Sequence, residues 1–137
     1  PIYKLPRPVI NQDNLNFSFS GLKSSVINLV HNMNQRNEVY EVKDIAASFQ
    51  EAALDVLLEK TKAALNKYKV KQLIIGGGVS ANMGLRKRVV DEILGVEILI
   101  PKMRYTTDNA VMIGVAAHYL YQKNGALPNY LLGAYSI

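Results

Sequence analysis

Three glycines, an asparagine and an aspartate carry most of the chemistry legible in this chain. Gly76, Gly77 and Gly78 close the apolar run of "QLIIGGG", and "VSANMGLRKRV" follows at once with helical spacing. Glycines between a strand and a helix let backbone N–H groups come close to a bound anion or nucleotide. Asn82 stands on the first turn of the following helix, where its amide can both donate and accept, as an adenine or ribose edge requires. Its bland alternative is polarity at a helix start, which Ser80 already supplies. Asp108, in "TTDNAVMIG", is read as an acid in the first turn of a last helix, where the macrodipole favours it. A carboxylate is equally a hard oxygen donor for iron or magnesium, but one ligand does not make a site.

Other patterns fare worse. Gly76-x-Gly78-x-x-Ala81 matches a dinucleotide fingerprint, with Glu97 about 20 residues on. The ribose-binding acid should end the second strand, whereas Glu97 begins "VEILIP" and Pro101-Lys102 hold its end. No Gly-Lys-Ser/Thr follows the glycines, so no Walker A loop is present. A tight strand-to-helix turn without ligand is the plain alternative. Cysteine is absent, which excludes a disulfide framework and a thiolate metal site. His31 and His118 are isolated, so neither a Ser-His-Asp nor a Cys-His set can be assembled. His118 is read as a packed or surface helix residue, and no His-Glu-x-x-His protease motif exists.

These residues need elements to hold them. "NFSFSGL" (16–22) alternates like a short strand, and Ser20 can cap a helix with Leu22, Val26, Leu29, Val30 and Met33 on one stripe. Asp44 is the expected cap of a long helix ending near Lys67–Lys71, with Ile45, Phe49, Ala52, Ala53, Val56, Leu57, Ala64, Leu65 and Tyr68 inward. "VKQLIIG" reads as a buried strand, and Ser80–Leu94 as a helix with Leu85, Val89 and Ile93 inward. Gly95 stops it. "VEILIP" is a second strand, and Thr106 or Thr107 caps a helix reaching about Gln122. Its small residues Ala110, Gly114, Ala116 and Ala117 permit close packing on a sheet. The tail from Asn124 is expected to be loop, with room for a short terminal strand. Strand, helix, strand, helix implies parallel pairing through a crossover, in an α/β fold with too few strands to be complete.

Composition sets the outer bounds. The chain has 137 residues, 49% hydrophobic and 20% charged, which suits one globular domain. No apolar run approaches the roughly 20 residues that span a bilayer, so a cytoplasmic location is expected. A net charge of +5 and a pI near 9.4 suit an anionic partner, nucleic acid included. Arg86, Lys87, Arg88, Lys102 and Arg104 are the candidate contacts, and a solvated basic face is the alternative. The opening "PIYKLPRPVINQDN" reads as an extended connection over 1–16 within a longer protein.

The motifs "DNLNFSFSGLKSSV", "IAASFQEAALDVL", "LIIGGGVSANMGLR" and "TTDNAVMIG" resemble, in order and spacing, the tRNA threonylcarbamoyladenosine transferase family. That family was once labelled O-sialoglycoprotein endopeptidase or glycoprotease, and it belongs to the actin, heat-shock protein and sugar kinase superfamily, with an RNase H-like lobe. The chain is similar to the C-terminal part of a bacterial member. The resemblance implies transfer of threonylcarbamoyl from threonylcarbamoyl-adenylate to the exocyclic amine of the adenosine next to the anticodon. It implies that Gly76, Gly77, Gly78 and Asn82 contact substrate, and that Asp108 is one ligand of a divalent metal, iron in particular. tRNA, an ATP-like nucleotide and other tRNA-modification proteins are the implied partners.

The family's histidine pair and its glycine-rich phosphate segment have no counterpart here. No catalytic residue is therefore named within the chain, and the 137 residues alone are expected to be inactive and to self-associate. An inert nucleotide- or RNA-binding fragment is the second reading. O-carbamoyl transfer to a small molecule, by a relative of the same superfamily, is the third, and "FSFSGLK" with "TDNAVMIG" weighs against it. A dehydrogenase is a distant fourth.

Overall fold

The computed structural model describes residues 2–8 and 14–125. Helix α1, Ser20–Gln35, forms where apolar residues recur every three or four positions. Leu22 and Met33 are buried, and Val26, Leu29 and Val30 between them are half-buried, as the stripe predicts. With Leu5 of the leading segment and Ala52 of the next helix, Leu22 makes a small core flanked by Phe19, Val26, Leu29 and Ala53.

Helix α2, Val42–Tyr68, is the spine. It is buried at Ala52, Leu54, Val56, Leu58 and Lys60, every second residue. Alternate residues of a helix lie about 200° apart around its axis, so such a run is covered from two sides. The covering elements are α1 and α3 (Met83–Glu92), both packed on α2. The expected one-sided stripe is corrected accordingly: Phe49 and Tyr68 lie outside it, 38% and 61% exposed. Asp44 stands in the first turn, with Glu41 as the capping residue and no side-chain cap bond. Lys67 lies in the last turn, and Lys69 ends the helix at φ 48° with its N–H on the Leu65 carbonyl.

Strands β1 (Gln72–Ile74) and β2 (Glu97–Leu99) pair in parallel, Leu73 opposite Ile98, with α3 as the crossover. The α/β class is as expected, and Leu85, Val89 and Ile93 face inward as predicted. The strand expected over 16–22 is absent. The Phe17 and Phe19 rings do stack, 6.4 Å apart, as alternation requires, but the segment has no strand partner among the described residues, and α1 begins already at Ser20.

The chain divides into two units, Pro1–Ile74 with Asn82–Leu99, and Ile75–Ala81 with Ile100–Ile137. The first holds α1, α2, α3 and both strands. The second holds the glycine turn and α4, Ala110–Asn124. Within the second unit none of the α4 residues is buried, and Val111, Ile113, Tyr119, Leu120 and Tyr121 are all more than half exposed. The tail from 126 lies outside the described residues, as does the expected terminal strand. No helix among those described is long and apolar enough to cross a membrane.

Candidate functional site

The glycine turn is built for approach. Gly77 sits at φ +83°, a conformation that side chains strain. A Cβ added at Gly76, Gly77 or Gly78 would meet nothing within 4 Å. Only Gly77 is therefore required by its own backbone, and among the described residues no atom close to an added Cβ explains the other two. A 3₁₀ turn, Gly78–Ala81, follows, in which the buried Ser80 donates its hydroxyl to the Gly77 carbonyl at 2.6 Å and its N–H to the same oxygen at 3.0 Å.

This corrects the helix start. With Ser80 folded back onto Gly77, the cap of α3 is Asn82, whose Oδ1 accepts from the Leu85 N–H at 2.9 Å. Its Nδ2 donates to Gln50 Oε1 of α2 at 2.8 Å. The side chain is half-buried, and these two bonds use one of its donors and one of its acceptor positions.

Asp108 is placed by the same device. Thr106, an expected cap, is buried and donates its hydroxyl to the Met103 carbonyl at 2.8 Å, closing a 3₁₀ turn over Met103–Tyr105. Asn109 caps α4 instead, its Oδ1 accepting from Met112 N–H at 3.0 Å. Asp108 thus precedes the cap and is exposed, not inside the first turn. Among the described residues no group of three His, Cys, Asp or Glu side chains could hold a metal ion. One exposed carboxylate does not by itself fit the chemistry of a divalent cation, which needs several converging donors.

The basic residues separate. Lys87 is exposed and reaches Asp91 at 3.8 Å, and Arg86 is half-buried on the same helix. In the second unit, Lys102 and Arg104 are exposed, and the Arg104 guanidinium lies 4.7 Å from the centre of the Tyr105 ring. Arg88 is corrected: it is not part of an open basic face. Its guanidinium reaches Glu92 at 2.6 Å, Asp55 at 2.8 Å and Glu51 at 3.0 Å. Hydrogen bonds from Arg88 and then Lys62 hold the Glu92 carboxyl down at about 2. Burial opposes ionisation of Asp55, but bonds from Arg88 and Arg7 outweigh it and keep its carboxyl below the ordinary value.

Two residues here escape sequence reasoning. Gln50 looks like one more polar residue on α2, and only its meeting with Asn82, 32 positions on, gives it meaning. Gly84 left a signal, since a glycine in a helix is disfavoured unless something comes close. What comes close is Asn82 Oδ1, Gln50 Nε2 and Leu54 Cδ1, which a Cβ would meet at 3.1, 3.2 and 3.2 Å.

Comparison with known proteins adds an independent line. The family model described as tRNA N6-adenosine threonylcarbamoyltransferase matches residues 2–115. A Streptococcus thermophilus protein of that name is 54% identical over 116 residues, which is 85% of this chain and 34% of the relative. One from Streptococcus suis is 52% identical over 122 residues, 89% of this chain and 36% of the relative. The chain thus spans about a third of the length of the curated relatives it matches.

Proposed function

Because this chain belongs to the tRNA N6-adenosine threonylcarbamoyltransferase family, we propose that it supplies the adenosine-holding part of an enzyme that carries threonylcarbamoyl to N6 of a tRNA adenosine. The donor is threonylcarbamoyl-adenylate. The amine nitrogen attacks the carbamoyl carbon, the bond to the phosphate oxygen breaks, AMP leaves with the electron pair, and the amine gives up a proton. The chain's share of this work is to bind and orient. The turn at Gly76, Gly77 and Gly78 leaves its backbone open to a nucleotide, and Asn82, in the other unit, has an N–H and a lone pair left for an adenosine.

The observation that carries the reading is the open glycine turn: three glycines with nothing above them, two of which their own backbone does not require. The family's actin-like architecture supports a nucleotide there. Asp108 would give a divalent metal, iron in particular, one oxygen ligand, with the other donors coming from beyond the described residues. Arg86, Lys87, Lys102 and Arg104 are offered to tRNA phosphates, and other tRNA-modification proteins are implied partners in the cytoplasm.

The test separates binding from capping. Asn82→Asp keeps an acceptor for Leu85 N–H but loses the amide donor. In the full-length enzyme containing these residues, it should weaken AMP binding by roughly 1–3 kcal/mol by calorimetry at an unchanged Tm. Unchanged affinity in both Asn82→Asp and Asn82→Ala sinks the assignment.

A second reading, that these 137 residues alone bind but do not catalyse, is favoured by their covering only about a third of the relatives' length. Assaying transfer with this chain beside the full-length enzyme decides it. Comparable rates would overturn it.

A further inference from the structure

We propose that Gln50 is a positioning residue for Asn82: it holds the Asn82 amide in the one plane from which that side chain can meet an adenosine. The inference rests on the adenosine contact proposed above and adds the residue that orients it.

The geometry is specific about which atom does what. Leu85 N–H can only donate, so the Asn82 atom it meets at 2.9 Å is the oxygen. The Asn82 nitrogen then faces Gln50, which presents its own oxygen to it at 2.8 Å. The terminal torsion of an asparagine is broad, and a cap bond alone leaves the amide free to swing about it. A second bond at the opposite end of the amide removes that freedom. What the two bonds leave over is one N–H on Nδ2 and one lone pair on Oδ1.

Gly84 shows that the arrangement is built and not incidental. A helix cap needs no glycine two residues after it, and glycine is a poorer helix residue than alanine. Yet a Cβ there would press on Asn82 Oδ1 at 3.1 Å and on Gln50 Nε2 at 3.2 Å, closer than most real side-chain contacts. The missing side chain makes room for the amide pair. Leu54, one turn beyond Gln50 on α2 and 3% exposed, is the third side chain over Gly84 and fixes the height of α2 above it. Gln50 therefore rides on the packed α2–α3 contact, a rigid base for a positioning group.

The experiment uses the full-length enzyme containing these residues, with AMP as the probe. Gln50→Ala should raise the Kd for AMP by about five- to twenty-fold, as expected when one hydrogen-bonded orientation is released. It should also split or broaden the Asn82 side-chain amide signals in a nitrogen-15 NMR spectrum of the ligand-free protein. Gln50→Glu keeps an oxygen that accepts from Asn82 Nδ2 and should restore the Kd to within about two-fold. In an Asn82→Ala background, Gln50→Ala should add nothing, because there is no amide left to orient. Normal AMP binding in Gln50→Ala, with Asn82→Ala impaired, overturns the role of Gln50 and leaves the Asn82 contact standing. Normal binding in both overturns the contact and Gln50's role with it. Equal losses in Gln50→Ala and Gln50→Glu, or full additivity with Asn82→Ala, would make Gln50 an independent contributor and overturn positioning.

Discussion

Arg7 and Asp55 stand 48 positions apart in the chain and 2.7 Å apart in the fold, Arg7 donating from both Nε and Nη2 to one carboxylate oxygen. The other oxygen of Asp55 takes the Arg88 guanidinium at 2.8 Å. One carboxylate on α2 thus ties down both the leading segment and α3. Both ends of each pair are less than a third exposed, a setting where ion pairs matter more than at the open surface.

Asp55→Ala should accordingly destabilise the protein by about 1–3 kcal/mol, leaving two half-buried guanidinium groups without their shared partner. Asp91→Ala, which removes only the exposed Lys87 partner, should cost no more than about 0.5 kcal/mol. Urea unfolding of the two variants checks the contrast, and equal midpoints would discount the network.

Acid should find the same network. Glu92 is held near 2 against an ordinary value of 4.5, and Asp55 is shifted in the same direction. A depressed carboxyl contributes stability that is complete above the unfolded value and lost as pH falls through the folded one. Stability should therefore decline from about pH 4.5 toward pH 2, with protons taken up on unfolding. Glu92→Gln should flatten that slope while lowering stability at neutral pH. A slope unchanged from the parent across this window would contradict it.

The glycine turn allows a cleaner division. Gly77→Val forces a branched side chain to φ +83° and should lower Tm as well as AMP affinity. At Gly76 an added Cβ meets nothing within 4 Å among the described residues and φ is not positive, so Gly76→Val should lower AMP affinity alone. Calorimetry beside thermal unfolding reads both. If Gly76→Val binds AMP normally, the turn admits no ligand at that point.

For tRNA, removing a cation that touches a phosphate should reduce the salt dependence of binding by about one charge. Lys87→Glu and Arg104→Glu are the informative changes, since both side chains are exposed. Arg88→Glu should act instead through stability, because its partners are Glu51, Asp55 and Glu92. An unchanged affinity and salt slope in the first two would leave those cations as ordinary solvated surface.

Much of this fold is open to the eye in the sequence. The stripe of α1, the inward residues of α3 and the parallel pair at "QLI" and "EIL" follow from periodicity and punctuation alone. The helix caps do not, and for one reason twice over. Ser80 and Thr106 have the right chemistry to cap, but each turns its hydroxyl back to a carbonyl three residues earlier and closes a 3₁₀ turn. The next asparagine, Asn82 or Asn109, takes the cap instead. A sequence carries no mark that tells these two uses of a hydroxyl apart. Nor does it reveal that Arg88 belongs to a charged cluster, since charge alone looks the same on either face of a helix.

The two-sided burial of α2 also has a bearing on how the chain finds its fold. Its contacts with α1 join neighbours across a short connection, whereas the β1–β2 pair brings Gln72 to Glu97 only after 25 residues have closed into a loop. Local contacts form before distant ones, because the entropy of closing the loop must be met before pairing rewards it. A helical hairpin of α1 and α2 should then form early, and the strand pair later. Truncating Leu58, at 1% exposure on α2, should slow folding, whereas truncating Ile98 on β2 should chiefly hasten unfolding.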